Sequence, residues 1–96
     1  MEISDFLDYM HYERRRSQQT LQGYRLDLEA YVAYLDTLEG HVTVDTADTE
    51  DIRGWIETMM DRGNSASSIC RRLSAVRSMY RYALARGLVS HDPAHI

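Results

Sequence analysis

The chain has 96 residues, 44% of them apolar, a single proline and a formal net charge of −4. That length supports one small domain with a single core, and the apolar fraction is too high for a disordered chain. No apolar run nears the roughly 20 residues that span a bilayer. The acidic start Met1-Glu2-Ile3-Ser4-Asp5 is no secretory signal, and a lone Cys70 excludes an internal disulfide and agrees with a reducing cytoplasm.

In chain order, Ile3, Phe6, Leu7 and Met10 recur at helical spacing and predict a first helix from about Ile3 to Arg14. Arg14-Arg15-Arg16 then places cations where a helix C-terminus favours them. Ser17 reads as the N-cap of a second helix. Its apolar stripe is Leu21, Tyr24, Leu28, Tyr31, Val32 and Leu35, and Gly40 reads as its left-handed terminator. Residues His41 to Ala47 form a loop in which Val42 and Val44 turn inward.

Asp48 or Thr49 caps a third helix, with Glu50 and Asp51 set favourably against its dipole. Its apolar face is Ile52, Trp55, Ile56 and one of Met59 or Met60, and Gly63 ends it. Gly54 in mid-helix costs about 1 kcal/mol relative to Ala, which predicts close packing against a neighbour. Asn64-Ser65 restarts the chain, and a fourth helix runs from Ala66 to Arg86 before Gly87. Its core stripe is Ile69, Leu73, Val76, Tyr80, Ala83 and Leu84, and Cys70 reads as a small packed thiol. Leu88-Val89 anchor the exit, and Asp92-Pro93 forbids further helix. The expected fold is all-α: a four-helix bundle of two helix hairpins, spanning residues 1–96 as one domain.

The charge is unevenly spread. From Arg62 to His91 the chain holds six arginines and no carboxylate, although the whole is acidic. A basic helix on an acidic protein reads either as a solvated face or as the footprint of phosphate recognition. Every strong base is arginine, whose planar fork suits phosphates and guanine edges.

The outer faces of the two long helices bear on this choice. At about 100° per residue, the second helix turns Gln19, Gln22, Gly23, Leu26 and Ala30 outward, and the fourth turns out Ser67, Arg71, Ser74, Ala75 and Ser78. Ordinary solvated faces are dense in paired Glu and Lys; these are small, or polar and uncharged, apart from arginine. Ser17 and Ser65 read as simple caps, whereas Gln19, Gln22 and Arg71 have no evident structural task. Both helices start with hydroxyl residues, and helix N-termini are ready anion sites.

Ser17-x-x-Thr20-x-x-x-Tyr24-x-x-Asp27-Leu28 is followed by Gly63-x-Ser65-x-x-Ser68-Ile69-x-Arg71-x-Leu73-Ser74-Ala75-x-Arg77-x-x-Tyr80. With Gly87 and Asp92-Pro93, this order resembles the N-terminal core-binding domain of Xer-type and phage-integrase-type tyrosine recombinases. Ser68 and Asp92 are mild departures from the family's commoner threonine and asparagine. The resemblance implies a SAM-like bundle that forms one jaw of a clamp on duplex DNA, with its second and fourth helices in the major groove. Carried over by position, it puts Gln19, Thr20, Gln22 and Gly23 on one reading helix, and Ser67, Ser68, Arg71, Arg72 and Ala75 on the other. Arg77 lies toward the flank, in a phosphate contact or a structural ion pair.

The resemblance further implies that chemistry belongs to a separate C-terminal domain, beyond the expected linker after Asp92-Pro93. That domain brings a tyrosine nucleophile with arginines and a histidine to cut and rejoin DNA. This chain is expected to be non-catalytic, without metal, cofactor, small-molecule or membrane partners, and to meet other recombinase protomers in a tetrameric synapse when part of the full-length protein. The rival reading is a helical protein-interaction module that sets the Arg-rich fourth helix against an acidic partner.

Overall fold

The computed structural model describes residues 1–95, and four helices make up its regular structure: α1 Ile3–Tyr12, α2 Gln18–Asp36, α3 Thr49–Asp61 and α4 Ala66–Ala85. Among the described residues there is no strand, and no helix is long and apolar enough to cross a membrane. The bundle has the expected all-α character, but its firmest packing runs between the two hairpins rather than within them. α2 and α4 form the central pair, α1 lies against both, and α3 closes on them more lightly without meeting α1.

Phe6, Leu7 and Met10 of α1 enter the core together with Leu28, Tyr31 and Leu35 of α2. Ile52, Trp55 and Met59 of α3 meet Val76, Met79 and Tyr80 of α4 in the same cluster. At its centre the Tyr31 and Tyr80 hydroxyls lie 2.7 Å apart, and Tyr80 donates onward to the Val44 carbonyl at 2.8 Å. Burial pushes both phenols well above their ordinary ionisation range. The pair therefore stays neutral, as a desolvated hydrogen-bonded pair must.

Val44 is buried and Val42 half-buried against the core, with Ala47 buried beside them, so the loop does turn inward. The exit is anchored by Val89, Pro93 and Ala94, with Leu88 left largely exposed. The Thr49 hydroxyl donates to the Pro93 carbonyl at 3.1 Å, so Asp92-Pro93 belongs to the packed domain.

Helix ends follow local chemistry. At Gly63 the Asn64 N–H reaches Met59 O and the Gly63 N–H reaches Met60 O, at 3.1 and 3.0 Å. Gly87 repeats this arrangement with Ala83 and Leu84, and both glycines hold the positive φ that a side chain resists. α1 stops at Tyr12, short of Arg14, and Arg15 takes a left-handed φ of 53°. α2 likewise ends at Asp36, with the Thr37 hydroxyl donating to Tyr34 O at 2.6 Å. Gly54 is explained: a Cβ there would stand 2.6 Å from the Tyr34 hydroxyl oxygen.

Two core expectations are corrected, and the choice between Met59 and Met60 is settled. Leu84, on the last turn of α4, is 45% exposed, while its neighbour Ala83 is buried. Met59, not Met60, is the buried methionine of α3. Cys70 is exposed rather than packed.

Candidate nucleic-acid interface

The starts of α2 and α4 are built alike. Ser17 Oγ accepts from the Thr20 N–H at 3.2 Å and donates to Thr20 Oγ1 at 2.9 Å. Ser65 Oγ accepts from the Ser68 N–H at 3.2 Å and donates to Ser68 Oγ at 3.0 Å. Both serines are caps, as expected, and they satisfy one backbone donor each. Neither helix carries an acid in its first turn, so the positive end of each dipole has no carboxylate from its own helix.

Between these helices runs an open groove of about 250 Å³. Gln19, Thr20 and Gly23 line it from α2, and Arg71, Ser74 and Ala75 line it from α4. Gly23 is exposed, and no atom lies within 4 Å of where its Cβ would stand. Nothing inside the molecule demands a glycine there, in contrast to Gly54. Its bare backbone leaves the groove wall open to close approach from outside.

At one end of the groove sits Asp27, the one buried charged residue among those described, 5% exposed. Arg71 donates to it twice, from Nε to Oδ2 at 3.2 Å and from Nη2 to Oδ1 at 3.0 Å. This bidentate bond holds the Arg71 guanidinium above even its usual ionisation range. Arg72 approaches the same carboxylate at 3.9 Å through Nε, and its Nη1 lies 3.9 Å from Met59 Sδ. The Arg72 Nε is buried without a hydrogen-bond partner.

The sequence-predicted residues thus divide. Gln19, Thr20, Gly23 and Arg71 meet in the groove, and exposed Ser67 and half-buried Ser68 flank it at the start of α4. Gln22 is exposed but borders a separate hollow between α1 and α2, beside His11 and Tyr12. Ala75 does not face outward: at 3% exposure it forms the groove floor. Arg72 is turned inward toward Asp27 and Met59. Arg71 does have a structural task, the bond to Asp27. Arg77 is half-buried in a hollow with Arg81, Asp92 and His95, on the flank. Among the described residues no ion pair involves it.

Two features escaped the helical-face reading. Asp27 ties α2 to α4; its signal was a lone acid on the inner side of α2 opposite an acid-free arginine helix. Arg14, Arg15 and Arg16 are all exposed and lead directly into the Ser17 cap. They stand before a helix start as much as behind a helix end, and no ion pair among the described residues involves them.

An all-α bundle with paired hydroxyl-capped helices and an arginine-bearing groove defines the class: a small four-helix domain. The family model for the phage integrase N-terminal SAM-like domain matches residues 3–87. The chain belongs to that family. It is 35% identical over 91 residues to the tyrosine recombinase XerD of Listeria monocytogenes serotype 4b strain F2365, covering 95% of this chain and 31% of the relative. To the tyrosine recombinase XerC of Azotobacter vinelandii it is 40% identical over 93 residues, 97% of this chain and 31% of that protein. XerC of Pseudomonas putida shares 36% over 94 residues, 98% and 31% of the two chains. The chain therefore spans about a third of the length of these relatives. No solved structure matches it.

Proposed function

We propose that the α2/α4 face docks on duplex DNA as the DNA-binding domain of a longer tyrosine recombinase, with both helices entering the major groove. The observation that carries this reading is the pairing of two acid-free helix starts with one small-residue groove holding Arg71. Gln19, Thr20, Gly23 and Arg71 meet base edges or nearby phosphates, and Gln22, Ser67 and Ser68 contact the borders. Arg14, Arg15, Arg16 and Arg77 supply phosphate contacts that fix register without reading sequence. Ala75 and Arg72 act from beneath, as the floor and the brace of the reading face. Cutting and rejoining of strands belongs to the catalytic domain of the longer protein, which acts in the cytoplasm and assembles four protomers on DNA. Membership of the phage integrase N-terminal family and the recombinase names of the relatives support this reading.

Duplex binding measured by fluorescence anisotropy across a salt series tests it. Affinity is expected to fall with a log–log slope of about −0.9 per phosphate neutralised. Arg71→Ala is expected to weaken binding by about 1–3 kcal/mol. Indifference to both salt and Arg71→Ala would favour the protein-interaction reading of α4 instead.

A further inference from the structure

The Asp27–Arg71 pair has an asymmetry that stability alone does not require. Asp27 binds Arg71 side-on, through Nε and Nη2, while the Arg71 side chain remains 61% exposed. A guanidinium has five N–H donors in a rigid fork. With Nε and one Nη2 hydrogen committed, both Nη1 hydrogens and the second Nη2 hydrogen remain along its outer edge. Arg71 lines the groove, and apart from Asp27 its other lining residues are uncharged, with Gly23, Ser74 and Ala75 small.

We infer that Asp27 is a positioning residue that fixes Arg71 to read a guanine edge, rather than a phosphate, in duplex DNA. The inference rests on the DNA-binding reading above. The Asp27 carboxylate cancels most of the Arg71 charge at the distance of a bound backbone. What survives is direction, two parallel N–H bonds matched to guanine O6 and N7. A phosphate contact needs net charge and tolerates a mobile side chain; a base contact needs a fixed plane. Arg72 Nε, 3.9 Å from the same Oδ1, sets a second cation beside the carboxylate and helps to hold it in place under Arg71.

The test selects duplexes from a randomised pool with the 96-residue chain, then with Asp27→Asn, Arg71→Ala and Arg71→Lys, and measures salt slopes and thermal melts for each. The unsubstituted chain is expected to enrich a motif with one position fixed as G·C. Arg71→Ala and Arg71→Lys lose preference at that position alone, roughly 5- to 150-fold, with the salt slope unchanged. Asp27→Asn keeps one side-chain acceptor and the fold. It relaxes the same position and steepens the salt slope, because Arg71 then acts as a free cation. A melt lowered by Asp27→Asn with base preference intact would make Asp27 merely structural and overturn the inference. So would a slope reduced by about 1 in Arg71→Ala with preference intact, the mark of a phosphate contact. Retention of no duplex by the unsubstituted chain would overturn the DNA-binding reading itself, and this inference with it.

Discussion

Helices α1 and α3 begin in one way and α2 and α4 in another, and the contrast separates what holds the domain together from what it offers outward. α1 closes its start with the Glu2 N–H on Asp5 Oδ2 at 3.2 Å. α3 does so with a reciprocal pair, the Asp51 N–H on Asp48 Oδ1 at 2.9 Å and the Asp48 N–H on Asp51 Oδ2 at 3.0 Å. Acids there oppose the positive end of the dipole, worth roughly 0.3–1 kcal/mol at a surface. α2 and α4 use serine caps and leave their first turns without a carboxylate. On the proposed DNA-binding reading, a phosphate completes these two helix starts.

Supplying the missing acids is the strongest way to break this contrast. Gln19→Glu combined with Ser67→Glu gives α2 and α4 the kind of start that α3 already has. Each carboxylate adds roughly 0.3–1 kcal/mol of helix stability. Each also lowers duplex-DNA affinity about tenfold, since a like charge set against phosphate costs roughly 1–4 kcal/mol near a surface. A urea titration and an anisotropy titration are therefore expected to move in opposite directions. Two curves that rise together would mean that these starts face no anion.

A smaller effect sharpens the same line from the structural side. Asp48→Ala removes the acceptor for the Asp51 N–H, a loss of about 1 kcal/mol of stability read as a lower urea midpoint. DNA affinity is expected to stay unchanged, because the start of α3 contributes nothing to the groove. Ser65→Asp should do the converse. Aspartate caps a helix as well as serine, so the midpoint holds or rises while affinity falls. Equal losses of affinity from Asp48→Ala and Ser65→Asp would erase the distinction between the two kinds of start.

Much of this arrangement was legible in the chain before its structure. Ser17, Ser65, Gly63 and Gly87 act through neighbours within a few residues, so their roles follow from local sequence. The all-α bundle and most of each apolar stripe follow from periodicity in the same way. Ala75 and Arg71 did not, and the reason is geometric. A helical wheel ranks positions against one stripe, whereas α4 packs against α1, α2 and α3 at once. Its buried arc is correspondingly wide, so Ala75 falls on the α2 side of it and becomes a groove floor. The partner of Arg71 lies 44 residues away on α2. Helical periodicity carries no information on which face of one helix meets which face of another. The same blindness put Arg14, Arg15 and Arg16 behind α1 when they equally precede α2.

The smallest expected effect tests that last point. Among the described residues, Arg15 and His41 are the two non-glycine residues with positive φ, at 53° and 55°. A left-handed L-residue costs roughly 1–2 kcal/mol, and glycine returns about half of that through the greater freedom of the unfolded chain. Arg15→Gly and His41→Gly should each stabilise the fold by about 0.5 kcal/mol, read as a small rise in the urea midpoint. They should part company on DNA. Arg15 stands two residues before the Ser17 cap in an exposed cationic run, so its loss should make the log–log salt slope shallower by about 1. His41 lies in the loop before α3 and should leave the slope alone. Equal slopes in the two variants would remove the arginine run from the phosphate track and leave the salt dependence to Arg77 and the helix starts.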